Sequence, residues 1–149
     1  MIFQIEKAGS SDADRLAQIQ LAAFEPDRNA CGSGPPGYND PEHQRKMIYQ
    51  YEYYVVKDSG EIVGGFYYHI QGSCLHLLRL FVDPEHQGTG VGQCVIQFLT
   101  TLTDVHQIVL ETPDFSIAAQ QFYERRGFVK KETISYGEAQ SFSYLLAVS

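Results

Sequence analysis

The stretch that decides the fold is "LFVDPEHQGTGVGQCVIQFL", residues 80–99. An apolar run that ends at Val82 is followed by polar residues, then by Gly88, Gly90 and Gly92, and then by a mostly apolar segment. That last segment places Val95 and Leu99 at helical spacing, so it predicts an amphipathic helix from about residue 89. The stretch therefore predicts a buried strand, a glycine-rich turn and a helix, in that order.

A second strand completes this unit. The segment "QIVLET", residues 107–112, is short and nearly all apolar, as expected for a strand that is covered on both faces. A right-handed crossover makes this strand parallel to the strand that ends at Val82. Ligands of such units bind beyond the carboxyl ends of the strands, where the helix N-terminus suits a phosphate group. The glycines predict either a close approach by an anion or merely a tight turn.

The remaining elements are placed around this unit. The segments at 2–5, 51–57, 61–70, 127–136 and 140–148 are typical of strands, and those at 10–24, 42–49 and 116–126 are typical of helices. Ser11 and Asp14 resemble a capping box at the start of the first helix. Residues 25–43 are rich in Gly, Pro and Asn, which predicts an irregular binding loop. The order predicts one α/β domain over residues 1–149, with a mixed, mostly antiparallel seven-stranded sheet flanked by helices.

Composition limits the classes of function. Eighteen acidic residues against eleven basic ones give a formal charge of −7, which argues against a nucleic-acid partner and favours a cationic one. No apolar run approaches the roughly 18 residues that span a membrane, and the amino terminus does not resemble a signal peptide. The three cysteines are expected to be buried free thiols. We therefore expect a cytoplasmic protein with no membrane association.

Two nucleotide-binding motifs fail at the glycine cluster. A P-loop needs Gly-Lys-Ser/Thr at its end, and none is present. A dinucleotide fingerprint needs a third glycine where Gln93 stands. A nucleotide-binding module is therefore a weak alternative.

The chain resembles the GNAT superfamily of N-acetyltransferases in two motifs. Their first signature is V-x-P-x-x-[RQ]-G-x-G-[IVA]-G, and residues 82–92 read "VDPEHQGTGVG". Their second is N-x-x-A-x-x-x-Y-x-x-x-G-F, and residues 116–128 match it except that Ser116 replaces the asparagine. Both motifs fall in the expected order, so the resemblance covers nearly the whole chain and implies the GNAT fold.

The resemblance also implies a binding mode for acetyl-coenzyme A. The pyrophosphate would lie on the main chain of the loop formed by Gln87, Gly88, Thr89, Gly90, Val91 and Gly92. Main-chain groups of Phe81 and Val82 would pair with the pantetheine arm, between the strands that end at Val82 and Thr112. Ser116 would place a hydroxyl near the cosubstrate or only cap its helix, since the missing asparagine puts that hydrogen bond in doubt.

Three residues are candidates for catalysis. Tyr123 matches the family tyrosine that protonates or hydrogen-bonds the coenzyme A sulfur, although an apolar helix would also explain a core tyrosine there. Glu111 ends a strand where some family members carry a base, and a structural glutamate is the alternative. His76 lies six residues before Val82, where members with a histidine base place one, and a core histidine is the alternative.

The sequence thus predicts an N-acetyltransferase that acts by direct attack of an amine in a ternary complex. The acceptor would be a primary amine of a small molecule or peptide, and residues 25–43 would border its cleft. The other histidines lack metal-ligand spacing, so we expect no metal. A coenzyme A-binding sensor or scaffold, and an acyltransferase for longer acyl groups, are the alternatives. The sheet is expected to have exposed edge strands, which could pair between two copies of the chain in a homodimer.

Overall fold

The computed structural model describes residues 2–148 of the chain. The strands are β1 (Gln4–Lys7), β2 (Glu52–Asp58), β3 (Glu61–Gln71), β4 (Cys74–Val82), β5 (Gln107–Pro113), β6 (Val129–Tyr136) and β7 (Ala139–Ala147). The helices are α1 (Ala13–Ala23), α2 (Glu25–Cys31), α3 (Pro41–Gln50), α4 (Val91–Thr100) and α5 (Ile117–Arg125).

The strands form one seven-stranded sheet in the order β1-β2-β3-β4-β5-β7-β6. β4 and β5 pair in parallel, with His76 opposite Val109, as the crossover rule predicts. The pairs β1–β2, β2–β3, β5–β7 and β6–β7 are antiparallel. The prediction of a mixed, mostly antiparallel seven-stranded sheet flanked by helices is therefore confirmed.

The described chain divides into two compact units. The first unit contains residues 2–68 and 79–101, and therefore β1, β2, α1 to α4 and most of β3. In its core, Leu16 and Ile19 of α1 are buried with Tyr53 and Val55 of β2 and with Phe81 of β4. The apolar residues of α1 recur at the helical spacing that the sequence shows, which explains why this face of the helix is buried.

The second unit contains residues 69–78 and 102–148. Leu75, Ile108 and Tyr144 are fully buried in it. Along β5 the buried residues alternate with exposed or half-buried ones, so that Leu110 is buried and Glu111 is exposed. The expectation that this strand is covered on both faces is therefore wrong, because one face carries Glu111.

Four local expectations are also corrected. The segment 25–43 contains the helix α2, with Pro26 in its first turn and Gly32 in the left-handed conformation at its end. The helix α4 begins at Val91 rather than near residue 89, because Gly90 has a positive φ. The capping interaction before α1 joins Gly9 and Asp12, since the amide of Gly9 donates to Asp12 Oδ2 at 2.8 Å, and not Ser11 and Asp14. Finally, none of the three cysteines is fully buried, since Cys31 is exposed and Cys74 and Cys94 are half-buried.

Candidate active site

The first group of candidate residues lies where β4 leads into α4, within the first unit. The turn after β4 is fixed at its start by Asp83. The amide of Asp83 donates to the carbonyl of Val63 at 2.8 Å, and Asp83 Oδ1 accepts from the amide of Glu85 at 3.1 Å. The guanidinium of Arg15 lies 3.2 Å from Asp83 Oδ2. Arg15 could not be identified from the sequence, because its partner is 68 residues away along the chain.

The loop itself is open and left-handed at two glycines. Gly88 has φ +80° and Gly90 has φ +99°, a region that side chains rarely tolerate. A β-carbon at Gly88 would meet no atom within 4 Å, and one at Gly90 would lie 3.9 Å from Phe3. Residues 87–90 are exposed. The backbone of this loop is therefore accessible to a close approach by a ligand.

The start of α4 gives the end of this loop a partial positive charge. The first N–H groups of a helix have no acceptor within the helix, and the helix dipole places a partial positive charge there. Asp83 is already paired with Arg15, and no acidic side chain lies in the first turn of α4. A phosphate or pyrophosphate fits these features well. Gly92 differs from the other two glycines because it lies inside the helix.

Phe81 and Val82 approach β3 at two glycines. A β-carbon at Gly64 would lie 2.7 Å from the carbonyl oxygen of Phe81 and 3.5 Å from Cα of Val82. A β-carbon at Gly65 would lie 2.7 Å from the ring of Phe81, whose side chain is buried. Gly64 therefore permits the close approach of the main chain at the end of β4, and Gly65 leaves room for the ring of Phe81.

The second group lies within the second unit, on β4, β5 and α5. His76 and Val109 are register partners in a parallel pair, and Glu111 follows Val109 by two residues on the same face of β5. The structure therefore brings His76 and Glu111 to one face of the sheet. The side chains of Leu75 and Ile108, on the other face, are buried.

Glu111 is engaged by two hydroxyl groups that the sequence analysis missed. Its Oε1 accepts from the hydroxyl of Tyr136 at 2.7 Å and from Ser141 Oγ at 2.6 Å. The hydrogen bond to Glu111, more than burial, raises the pKa of Tyr136. These partners come from β6 and β7, whose register no motif predicts.

His76 stacks on a second imidazole. The rings of His69 and His76 lie 4.7 Å apart and 2° from parallel. Burial, and then the charge of His69, lowers the pKa of His76 below its usual value of 6.5. His76 is therefore mostly neutral at pH 7, which is the form that accepts a proton.

Tyr123 is buried in α5, as a core tyrosine or an acid would be. Phe122 and Phe128 contact its ring edge-on at centroid distances of 5.1 and 5.4 Å. Burial raises the pKa of Tyr123, so its hydroxyl stays protonated near neutral pH. Among residues 2–148 this hydroxyl has no hydrogen-bond partner. The ring of Tyr123 is therefore packed in the protein, while its hydroxyl is free to bond a group from outside these residues.

The turn between β5 and α5 holds Ser116. Ser116 is the residue before the first turn of α5, but its side chain makes no capping hydrogen bond. Gln120 holds the turn instead, since its Nε2 donates to the carbonyl oxygens of Pro113 and Asp114 at 3.0 and 3.1 Å. The hydroxyl of Ser116 is therefore not used as a cap.

Metal clusters and membrane-spanning helices are both absent from the described residues. Within residues 2–148, no group of three or more His, Cys, Asp or Glu side chains is arranged to hold a metal ion. No helix in the same part of the chain is long and apolar enough to cross a membrane.

Comparison with known proteins supports the family indicated by the motifs. The profile of the GNAT acetyltransferase domain matches residues 49–130. No match was found among curated proteins. Similar solved structures include the PaiA N-acetyltransferase of Thermoplasma acidophilum in complex with coenzyme A, with a TM-score of 0.81 and 15% identity over 96% of this chain and 98% of that one.

Two further structures share this fold. An acetyltransferase from Thermus thermophilus has a TM-score of 0.79 and 18% identity over 99% of this chain and 98% of its own. A ribosomal-protein-alanine N-acetyltransferase from Escherichia coli has a TM-score of 0.72 and 17% identity over 99% and 95%. At these identities the structures establish the fold, and the profile match, which spans more than half of the chain, establishes the family. The chain belongs to the GNAT family of acetyltransferases and is an acetyl-CoA-dependent acyltransferase.

Proposed function

We propose that this enzyme transfers the acetyl group of acetyl-CoA to a primary amine of a small molecule or peptide. The amine would attack directly in a ternary complex, and residues 1–149 would act as one GNAT domain. The observation that carries the proposal is the loop of residues 87–92, where two left-handed glycines precede the free N–H groups of α4. This loop would hold the pyrophosphate of the cosubstrate, through the main chain of Gln87, Gly88, Thr89, Gly90, Val91 and Gly92.

Other residues would hold the rest of the cosubstrate. The main chain of Phe81 and Val82 would pair with the pantetheine arm as a neighbouring strand would. The hydroxyl of Ser116 would donate a hydrogen bond to the cosubstrate. This role is supported by the absence of a capping hydrogen bond from the same side chain.

Acetyl-CoA supplies the acetyl group as a thioester, in which the carbonyl carbon accepts a nucleophile. During transfer a carbon–nitrogen bond forms, the carbon–sulfur bond breaks and the amine loses a proton. The hydroxyl of Tyr123 would donate its proton to the sulfur as the thiolate leaves. Its raised pKa keeps it protonated until then, and its lack of a protein partner leaves it available for this bond.

The proton of the amine would pass to His76 or Glu111, directly or through water. His76 is supported by its lowered pKa, which keeps the imidazole neutral. The role of Glu111 as the base is supported by its position on the same face of the sheet as His76. Tyr136 and Ser141 both donate hydrogen bonds to one of its oxygens, Oε1. Its other oxygen, Oε2, is left to accept a proton.

A turnover assay tests the proposal. Purified protein, acetyl-CoA and a panel of primary amines should release free thiol at a rate that depends on one class of amine. Initial rates at varied concentrations of both substrates should give intersecting double-reciprocal lines, as a ternary complex requires. Parallel lines would indicate an acetylated enzyme instead. Thiol release that no amine accelerates would contradict the proposed transfer to an amine.

A further inference from the structure

Arg79 is a half-buried cation whose protein partners are all neutral. It lies on β4, three residues before Val82 and on the same face as Phe81. Its Nη1 donates to Gln20 Oε1 at 3.3 Å, and its Nη2 donates to the carbonyl oxygen of Pro36 at 3.0 Å. No carboxylate lies within 4 Å of this guanidinium in the described part of the chain. A guanidinium has five N–H donors, so three of them have no acceptor among residues 2–148.

Two other arginines of the same unit are paired with acids, whereas Arg28 donates only to the carbonyl oxygen of Leu21 and to the hydroxyl of Tyr38. Arg15 contacts Asp83, and Arg45 contacts both Asp14 and Glu42. The chain carries seven more acidic than basic side chains. The lack of a carboxylate at Arg79 therefore does not come from a shortage of acids. Removing a charge from water costs free energy unless a strong partner compensates, and a carboxylate is the strongest partner for a guanidinium.

The surroundings of Arg79 hold its guanidinium in place without neutralising it. Its Cζ lies 5.5 Å from the centroid of the Tyr67 ring, and Tyr51 stacks on Tyr67 at 5.9 Å. Burial, and then the charge of Arg79, lowers the pKa of His43, so this imidazole stays neutral near pH 7. An aromatic wall orients a guanidinium well, since the flat cation stacks on rings and keeps its donors in one plane.

Arg79 is also joined to the segment that the family resemblance places beside the acceptor. Its hydrogen bond to Pro36 reaches into residues 25–43, the segment expected to border the acceptor cleft. We propose that Arg79 binds a carboxylate of the acceptor, so that the acetylated amine belongs to an amino acid or a closely related amino-carboxylate. This inference rests on the proposed function and adds the substrate class to it.

Binding of the reaction product tests this without requiring turnover. The probes are N-acetyl amino acids and their matched carboxamides, titrated into the protein loaded with coenzyme A. A charge-assisted pair with a guanidinium should make at least one N-acetyl amino acid bind about tenfold to a hundredfold more tightly than its carboxamide. Arg79→Gln should abolish this preference, whereas Arg79→Lys should retain part of it because the charge remains.

A paired arginine provides the matched control. Arg45→Gln removes a cation of the same unit that already has two carboxylate partners, so the preference should be unchanged. Equal binding of acid and carboxamide throughout the panel, or no binding of either, would overturn the inference. Equal weakening of both by Arg79→Gln would also overturn it, because it would indicate a structural role for Arg79.

The inference and the proposed function can fail separately. If amines without a carboxylate support thiol release while the acids show no preference, the acyl transfer stands and the substrate class is wrong. If the N-acetyl amino acids bind through Arg79 but no amine accelerates thiol release, the binding site stands and the proposed transfer to an amine is wrong.

Discussion

Gly64→Ala tests whether the main chain of Phe81 holds the cosubstrate. The new β-carbon would lie 2.7 Å from the carbonyl oxygen of Phe81 and 3.3 Å from Cγ1 of Val91. An ordinary carbon–oxygen contact is about 3.3 Å or more, so the two strands must separate locally by roughly 0.6 Å. The shorter contact is to a backbone oxygen, which no side-chain rotation can move away. The longer one is to a methyl group of Val91, whose β-branched side chain has few rotamers.

This displacement determines how much stability and how much acetyl-CoA affinity the variant should lose. Overpacking of a close contact costs about 1–3 kcal/mol. For a chain of this size, each kcal/mol lowers the melting temperature by about 2–4 °C. If the displaced carbonyl is a hydrogen-bond acceptor for the pantetheine arm, loss of that bond costs a further 0.5–1.5 kcal/mol, or about a two- to tenfold increase in KM for acetyl-CoA.

Thermal unfolding and steady-state kinetics measure the two effects separately. Gly9→Ala is the matched control, because Gly9 has φ −115° and its β-carbon would meet only Asp12 Oδ2 at 4.0 Å. That variant should keep both the melting temperature and KM. A lower melting temperature of Gly64→Ala with an unchanged KM for acetyl-CoA would refute the role of the Phe81 carbonyl. An unchanged melting temperature would refute the steric argument itself.

Three further predictions concern the chemistry and the acceptor. Tyr123→Phe should lower kcat about tenfold to a thousandfold with little change in KM for acetyl-CoA, because the hydroxyl of Tyr123 acts as the thiolate forms. An unchanged kcat would show that Tyr123 is only a structural residue of the core. If His76 is the base, the acidic limb of the kcat/KM profile should lie below pH 6.5 and be absent in His76→Gln; if Glu111 is the base, Glu111→Gln should lose that limb. A limb that persists in both variants would assign the ionisation to the amine. Tyr38→Ala should raise KM for the amine and leave acetyl-CoA binding unchanged, because Tyr38 is buried against Phe24 and holds the segment 25–43 in place. An unaltered KM for the amine would place this segment outside the acceptor cleft.

The strand, glycine loop and helix of residues 80–99 could be predicted from the sequence because each has a strong local signal. A run of apolar residues, a cluster of glycines and helical periodicity follow one another there without interruption. The helix α2 was missed because Pro26, Asn29 and Gly32 suggest a loop, whereas proline is well tolerated in the first turn of a helix and glycine at its end.

Contacts between distant segments could not be predicted in this way. The hydroxyls of Tyr136 and Ser141 reach Glu111 only because β5, β6 and β7 pair in one particular register. The sequence shows Arg79 as a charge in an apolar strand, but the lack of a carboxylate partner becomes visible only when Gln20 and Pro36 are placed beside it. Such features depend on tertiary packing, which local pattern does not determine.

The most direct test of the account is whether acetyl-CoA binds at the glycine loop. Acetyl-CoA at a concentration of a hundred times its Kd should stabilise the native protein by about 2.7 kcal/mol. The melting temperature should therefore rise by roughly 5–11 °C. Gly90→Val, measured against its own ligand-free baseline, should show no rise, because Gly90 has φ +99° and a branched side chain would distort the loop and fill the space above it. A native protein whose melting temperature does not change at saturating acetyl-CoA would contradict the account, and an equal rise in Gly90→Val would place the cosubstrate elsewhere.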